Sequence, residues 1–137
     1  MDFPSYFADA ESDFKDADFV IFGVPYDKTA SFRKGACLGP EKIRQASWNF
    51  ETYNIESGVD IKDIKIHDYG DIFVENETPA EMIKKVKEVS SGLISQGKIP
   101  IALGGEHSIT PGIVQALPKD TAVLLLDAHI DLSLIHI

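Results

Sequence analysis

The chain has 137 residues, a length that suits one domain at most. Hydrophobic residues make up 44% of it and charged residues 26%, which is typical of a packed globular protein and excludes a disordered one. Twenty-two acidic residues against thirteen basic ones give a formal net charge of −9, which disfavours nucleic acid or an anionic membrane as a partner and favours a small cationic one.

The first predicted elements are a strand and a helix. The run Phe19–Val24 is apolar and contains β-branched residues, as in a strand that is covered on both faces. After a polar loop, Gly39 and Pro40 open a helical pattern that continues through Ala46, because proline suits a first helical turn, where its missing amide costs nothing. A weaker strand pattern follows at Ile64–His67.

A capped helix is predicted next. Thr78 can cap it, Pro79 can fix its first turn, and Glu81 can reach back to the cap amide. Gly97 is placed to end it. The apolar residues that recur at helical spacing on one face are Met82, Ile83, Val86, Val89, Leu93 and Ile94.

Two further apolar runs, Ile99–Leu103 and Ala122–Leu126, are predicted to be strands, with a helix that begins at Thr110 and Pro111 between them. Strands that alternate with helices indicate a parallel sheet with right-handed crossovers. The predicted fold class is therefore α/β with a parallel sheet.

A polar motif follows each of these last two runs. GGEHS brings His107 after the first run, and DAHID brings Asp127, His129 and Asp131 after the second. Side chains at every second position of an extended chain lie on one face, so the last three can converge on the same cations. Ligands gather beyond the carboxyl ends of parallel strands, which predicts that the two motifs meet there.

These side chains are metal ligands by type. Carboxylate oxygen and imidazole nitrogen without thiolate favour Mn, Mg, Zn, Fe or Co over soft metals and iron–sulfur clusters. Two metals about 3.5 to 4 Å apart can share a hydroxide that attacks at neutral pH. The alternative interpretations are a loop histidine at a helix start for His107, and solvated strand ends for Asp127 and Asp131.

The motifs resemble those of the ureohydrolases, the arginase and agmatinase family. The metal motifs are GGEHS at 104–108 and LLLDAHID at 124–131. GVPYD at 23–27 and SFRKGACLGPEKIR at 31–44 are similar to the N-terminal signature of the agmatinase branch. The resemblance implies an arginase-like three-layer α/β/α sandwich that is incomplete at its C-terminal side.

The resemblance also implies the chemistry. A hydroxide that bridges two manganese ions attacks a guanidinium carbon, and a tetrahedral intermediate collapses to urea and an amine. The agmatinase-like signature implies agmatine as substrate and putrescine as the second product, while arginase, guanidinobutyrase and formiminoglutamase activities remain alternatives. A homo-oligomer is implied for the full-length enzyme. The ligands implied for the binuclear manganese centre are His107, Asp127, His129 and Asp131.

The roles expected for Cys37 and Glu106 are not those of metal ligands. Cys37 stands where the family often carries arginine, so a local contact differs and its role is expected to be structural. Glu106 either orients a metal ligand from behind or is a solvated loop carboxylate.

Residues 1–131 are expected to form the N-terminal part of a single ureohydrolase domain. Ureohydrolases complete their metal site with aspartates on a later strand, so the remaining ligands and the catalytic proton-transfer residues are expected to lie outside this chain, which is then an inactive fragment. The end LSLIHI, 132–137, is predicted to be a non-native tail, since one back-translation of it coincides with a transposon-end sequencing adapter; His136 then has no native role.

Alternatives from other classes remain open. A metallophosphoesterase also places Asp and His after strands, although GGEHS argues against it, and the chain can be a non-catalytic metal binder. A cytoplasmic location is predicted because Cys37 is the single cysteine, the acidic start lacks a signal peptide, and no apolar run approaches a membrane span.

Overall fold

The computed structural model describes residues 4–128. Three short 3-10 helices, Ala36–Leu38, Ile61–Asp63 and His107–Ile109, lie between the longer elements. A two-stranded antiparallel pair, Tyr53–Asn54 with Val59–Asp60, lies apart from the main sheet. The elements in chain order are β1 (Phe19–Val24), α1 (Gly39–Ser47), β2 (Tyr53–Asn54), β3 (Val59–Asp60), β4 (Ile66–Asp71), α2 (Pro79–Ser95), β5 (Ile99–Gly104) and α3 (Thr110–Val114).

Within the described residues, the main sheet has three parallel strands in the order β4-β1-β5. The register between β1 and β5 runs from Phe19 opposite Ile99 to Val24 opposite Gly104. On its other side β1 begins with Phe19 opposite Ile66 of β4. Because the strands run in one direction, their carboxyl ends lie along one edge. The predicted parallel α/β sheet is confirmed, with β4 starting two residues later than the pattern Ile64–His67 suggested and ending at Asp71.

Helices cover both faces of the sheet. Successive side chains of β1 alternate between the faces, so Ile21 packs with Ala10 and Ile66 on one side. Pro40 at the start of α1 lies on that same side, where a Cβ added to Gly23 would come 2.9 Å from Pro40 Cβ. The other face packs on α2 and α3, and this gives the three-layer α/β/α arrangement. Its core contains Val20, Phe22, Val24, Val74, Met82, Val86, Leu93 and Ile109.

The predicted cap of α2 is present. The Thr78 hydroxyl accepts a hydrogen bond from the Glu81 amide, and the Glu81 carboxylate accepts one from the Thr78 amide at 2.8 Å. The helix ends at Ser95, and Gly97 takes a φ of 73°, which suits glycine. No helix within residues 4–128 combines the length and the apolarity needed to cross a membrane.

The prediction of a strand at Ala122–Leu126 is wrong. These residues have no regular secondary structure, and Leu124 and Leu126 are 84% and 89% exposed. An apolar strand of a parallel sheet needs a neighbouring strand and a cover on both faces. Within the described residues, β1 is the partner of β5 and no strand lies against its other edge, where Ile99 is half-exposed.

Candidate functional site

Two loops and one segment meet at the carboxyl edge of the sheet. The loop after β1 starts at Pro25 and ends at the 3-10 helix Ala36–Leu38, and the loop after β5 contains Gly105 and Glu106. The segment 121–128 follows α3. His107 begins the short helix His107–Ile109, directly beyond the end of β5.

His107 and Asp127 lie close together at this edge. The His107 Nδ1 atom is 3.7 Å from the Asp127 Oδ2 atom. Their side chains are 48% and 27% exposed, so both are accessible to a solute. The two motifs after the predicted strands therefore approach each other, although Ala122–Leu126 is not paired with β5.

The distance and the donor types fit a shared divalent cation. Metal bonds to imidazole nitrogen and carboxylate oxygen are about 2.0 to 2.2 Å long, so two donors on one ion are at most about 4.4 Å apart. The 3.7 Å between the His107 and Asp127 donors meets this limit. His129 and Asp131 lie outside the described residues, and in residues 4–128 no group of three or more His, Cys, Asp or Glu side chains is arranged to hold a metal. The four ligand roles stay predictions.

The two glycines before Glu106 let the loops touch. A Cβ on Gly105 would lie 2.2 Å from the carbonyl oxygen of Tyr26, and one on Gly104 would lie 2.6 Å from Ile109 Cδ1. The Gly105 amide donates to Val24 O at 3.1 Å and the Glu106 amide to Tyr26 O at 2.9 Å, which continues the parallel pairing beyond the strands. Gly105 thus allows close approach to the Tyr26 backbone, and Gly104 leaves room for the Ile109 side chain.

The Glu106 carboxylate joins the two loops. It accepts hydrogen bonds from the Thr29 amide at 3.0 Å, from the Thr29 hydroxyl, and from the Ser108 hydroxyl at 2.5 Å. The sequence allowed Glu106 to be either a solvated loop carboxylate or a residue that orients a metal ligand. A solvated carboxylate does not account for these three bonds. Thr29 gave no signal in the sequence, since 77 residues separate it from Glu106.

A second carboxylate holds the far end of the loop after β1. Asp27 accepts hydrogen bonds from the Gly35 amide at 2.6 Å and the Cys37 amide at 3.4 Å. The Gly35 bond, followed by the bond from the Cys37 thiol, lowers the pKa of Asp27, and Asp27 in turn raises the pKa of the Cys37 thiol. Asp27 is the last residue of the family-like motif GVPYD. The motif therefore pointed to Asp27, whereas the spacing of metal-ligand residues did not. Cys37 is half-buried within this turn, as expected for a structural residue.

Comparison with known proteins gives one consistent result. The family model described as Arginase family matches residues 17–136. The N(1)-aminopropylagmatine ureohydrolase of Thermococcus kodakarensis is 43% identical over 118 residues, which cover 85% of this chain and 41% of that protein.

Solved structures agree. The agmatine ureohydrolase of Thermoplasma volcanium matches with a TM-score of 0.89 and 42% identity, over 96% of this chain and 45% of that one. The formiminoglutamase of Trypanosoma cruzi with Mn²⁺ matches with a TM-score of 0.76 and 28% identity, over 96% of this chain and 47% of that one. The chain thus spans less than half the length of each of these relatives.

Proposed function

This chain belongs to the arginase family, and from that premise we propose that it contributes part of the metal site of a ureohydrolase. The proposed reaction is the hydrolysis of agmatine to putrescine and urea. The observation that supports it is the approach of His107 Nδ1 to Asp127 Oδ2, at 3.7 Å, where the two family motifs end. Family membership also favours this chemistry over phosphate-ester hydrolysis.

The proposed cofactor is a pair of Mn²⁺ ions. A related formiminoglutamase structure with Mn²⁺ supports this metal, and so does a donor set of imidazole and carboxylate without thiolate. When bound, such ions supply Lewis acidity, which activates water and polarises the group under attack. The proposed ligands are His107, Asp127, His129 and Asp131.

The chain's own residues have separate tasks in this proposal. The Asp127 carboxylate has two oxygens and can contact two cations, whereas the His107 imidazole offers one nitrogen to a cation. The net charge of −9 attracts a guanidinium cation towards the protein. Proton transfer is assigned to no residue of this chain.

Agmatine is the proposed substrate within the family. The agmatinase-type signature at 23–27 and 31–44 and the TM-score of 0.89 with an agmatine ureohydrolase support it. A second candidate is N(1)-aminopropylagmatine, because the relative named for it is 43% identical to this chain. The two substrates carry the same guanidinium group and differ in the amine end, so discrimination depends on residues that contact that end.

Urea release tests the proposal. We expect a gene product of the relatives' length to release urea and putrescine from agmatine with Mn²⁺, and to act less well on N(1)-aminopropylagmatine, arginine, guanidinobutyrate and formiminoglutamate. The 137-residue chain alone is proposed to be inactive, because it spans less than half the length of the relatives that it matches. Phosphate release from a generic phosphate ester without any urea release would refute the assignment.

We also propose a cytoplasmic location and a homo-oligomeric full-length enzyme. The single cysteine, Cys37, is consistent with a reducing compartment. Cell fractionation and the solution mass of the full gene product test the two statements separately.

A further inference from the structure

The Glu106 carboxylate bonds to the residue that follows the candidate metal ligand His107 and to the loop after β1. Ser108, whose hydroxyl donates to Glu106 Oε1 at 2.5 Å, follows His107 directly. Thr29, whose amide donates to Glu106 Oε2 at 3.0 Å, belongs to the loop after β1. His107 therefore lies in the sequence between Glu106 and Ser108, whose side chains are bonded to each other, and Glu106 also holds the loop after β1.

The backbone beneath this carboxylate is already fixed. The Glu106 amide donates to Tyr26 O at 2.9 Å, and the backbone at Gly105 lies directly against the backbone at Tyr26. Tyr26 is fully buried, so the start of the loop after β1 is packed into the core. The side-chain bonds of Glu106 add a second layer of contacts above this backbone, and they are charge-assisted, which makes them stronger than bonds between neutral groups.

We propose that Glu106 is a positioning residue, which couples the loop after β1 to the backbone around His107 and holds the imidazole towards Asp127 and a divalent cation. The part of this proposal in which His107 binds a metal rests on the proposed function. The loss of Glu106 frees Ser108 on one side and Thr29 on the other, so the imidazole samples more orientations. A metal site whose outer hydrogen bonds are removed typically loses about 10- to 100-fold in affinity.

The chain offers a matched control. At the start of α2, Glu81 also accepts from the amide and the hydroxyl of one threonine, Thr78. The two threonine–glutamate pairs have the same chemistry, but the Thr78 pair caps one helix and joins no second loop. Glu81→Gln therefore reports the general cost of losing such a pair.

Nuclear magnetic resonance of the metal-free chain gives the first test. We expect Glu106→Gln and Thr29→Val to shift the imidazole Cε1–Hε1 resonance of His107, and Glu106→Gln to speed exchange of the Thr29 amide. Glu81→Gln is expected to speed exchange at Thr78 and to leave the His107 resonance in place. An unchanged His107 resonance in both Glu106→Gln and Thr29→Val overturns the proposal. Thr29→Val keeps every charge, so it remains informative where Glu106→Gln fails to fold.

Titration of a gene product of the relatives' length with Mn²⁺, followed by electron paramagnetic resonance, gives the second test. We expect Glu106→Gln to weaken binding about 10- to 100-fold, and the double variant with Thr29→Val to lose no more than Glu106→Gln alone, because both changes break one connection. Full additivity of the two losses contradicts the coupling. A wild-type gene product of that length that binds no Mn²⁺ contradicts the proposed function instead, and the metal-free resonance of His107 still decides the role of Glu106.

Discussion

The guanidinium of Arg44 and the carboxylate of Asp68 form a buried ion pair with two hydrogen bonds, at 2.7 and 2.9 Å. Their side chains are 4% and 1% exposed. Asp68 also accepts from the amides of Phe7 and Gly70, and Arg44 donates to Asp71 at 2.5 Å. The pair ties α1 to β4 and to the N-terminal segment, so the arginine that ends the agmatinase-like signature has a structural task.

Arg44→Met is expected to destabilise the fold by about 3 to 5 kcal/mol, because it leaves the Asp68 charge buried without its partner. Asp71→Asn is expected to cost clearly less, since Asp71 is partly exposed and Arg44 keeps its bonds to Asp68. Urea denaturation of the three proteins measures both effects. Equal losses in the two variants would contradict this division of roles.

The same pair predicts how stability depends on pH. Burial disfavours the Asp68 charge, but hydrogen bonds from Arg44, Gly70 and Phe7 outweigh it and lower the pKa of Asp68. A lowered pKa in the folded state means that this contribution is complete above the unfolded pKa, about 4, and is lost as the pH falls through the lower folded value. The unfolding free energy of wild type is therefore expected to fall more steeply below pH 4 than that of Asp68→Asn. Parallel curves for the two proteins would show that Asp68 is not responsible.

Gly105→Ala is expected to destabilise the chain and displace the loop that carries His107. The added methyl group would lie 2.2 Å from the Tyr26 carbonyl oxygen, and backbone has little freedom to move. The control is Gly92→Ala in α2, where nothing lies within 4 Å of the new atom. That change is expected to stabilise by about 0.5 to 1 kcal/mol, because alanine is the better helix former. Thermal unfolding measures both; a Gly105→Ala protein as stable as wild type would refute the close approach.

The sequence predicted the elements whose signals are local. The cap Thr78–Glu81 and the apolar stripe of the following helix specify α2, and the apolar runs specify β1 and β5 nearly to the residue. The run Ala122–Leu126 carries the same apolar signal as β5, but a strand also requires neighbours, which the described residues do not provide. Local pattern therefore predicts the tendency to form a strand, and the surroundings decide whether it pairs.

The candidate site divides in the same way. The sequence predicted the approach of His107 to Asp127 from the rule that parallel strands end at one edge, but residues 122–126 form no strand, so that rule does not account for the contact. The contact between Glu106 and Thr29 joins residues 77 positions apart through loops, and loops have no periodic pattern from which such a contact can be derived. Asp27 and Arg44 belong to the family-like motifs, but their roles could not be predicted because they depend on tertiary contacts.

Mn²⁺ binding to a gene product of the relatives' length and to its variants tests the central claim most directly. His107→Ala and Asp127→Asn are each expected to weaken binding by at least the roughly 10- to 100-fold that outer partners of a metal site contribute. The control is His67→Asn: His67 bonds to Ser12 O through Nδ1 at 2.8 Å and packs edge-on against Phe14, so its loss is expected to leave binding unchanged. A wild-type gene product of that length that does not bind Mn²⁺, or variants at His107 and Asp127 that bind it as tightly as wild type does, would contradict the account.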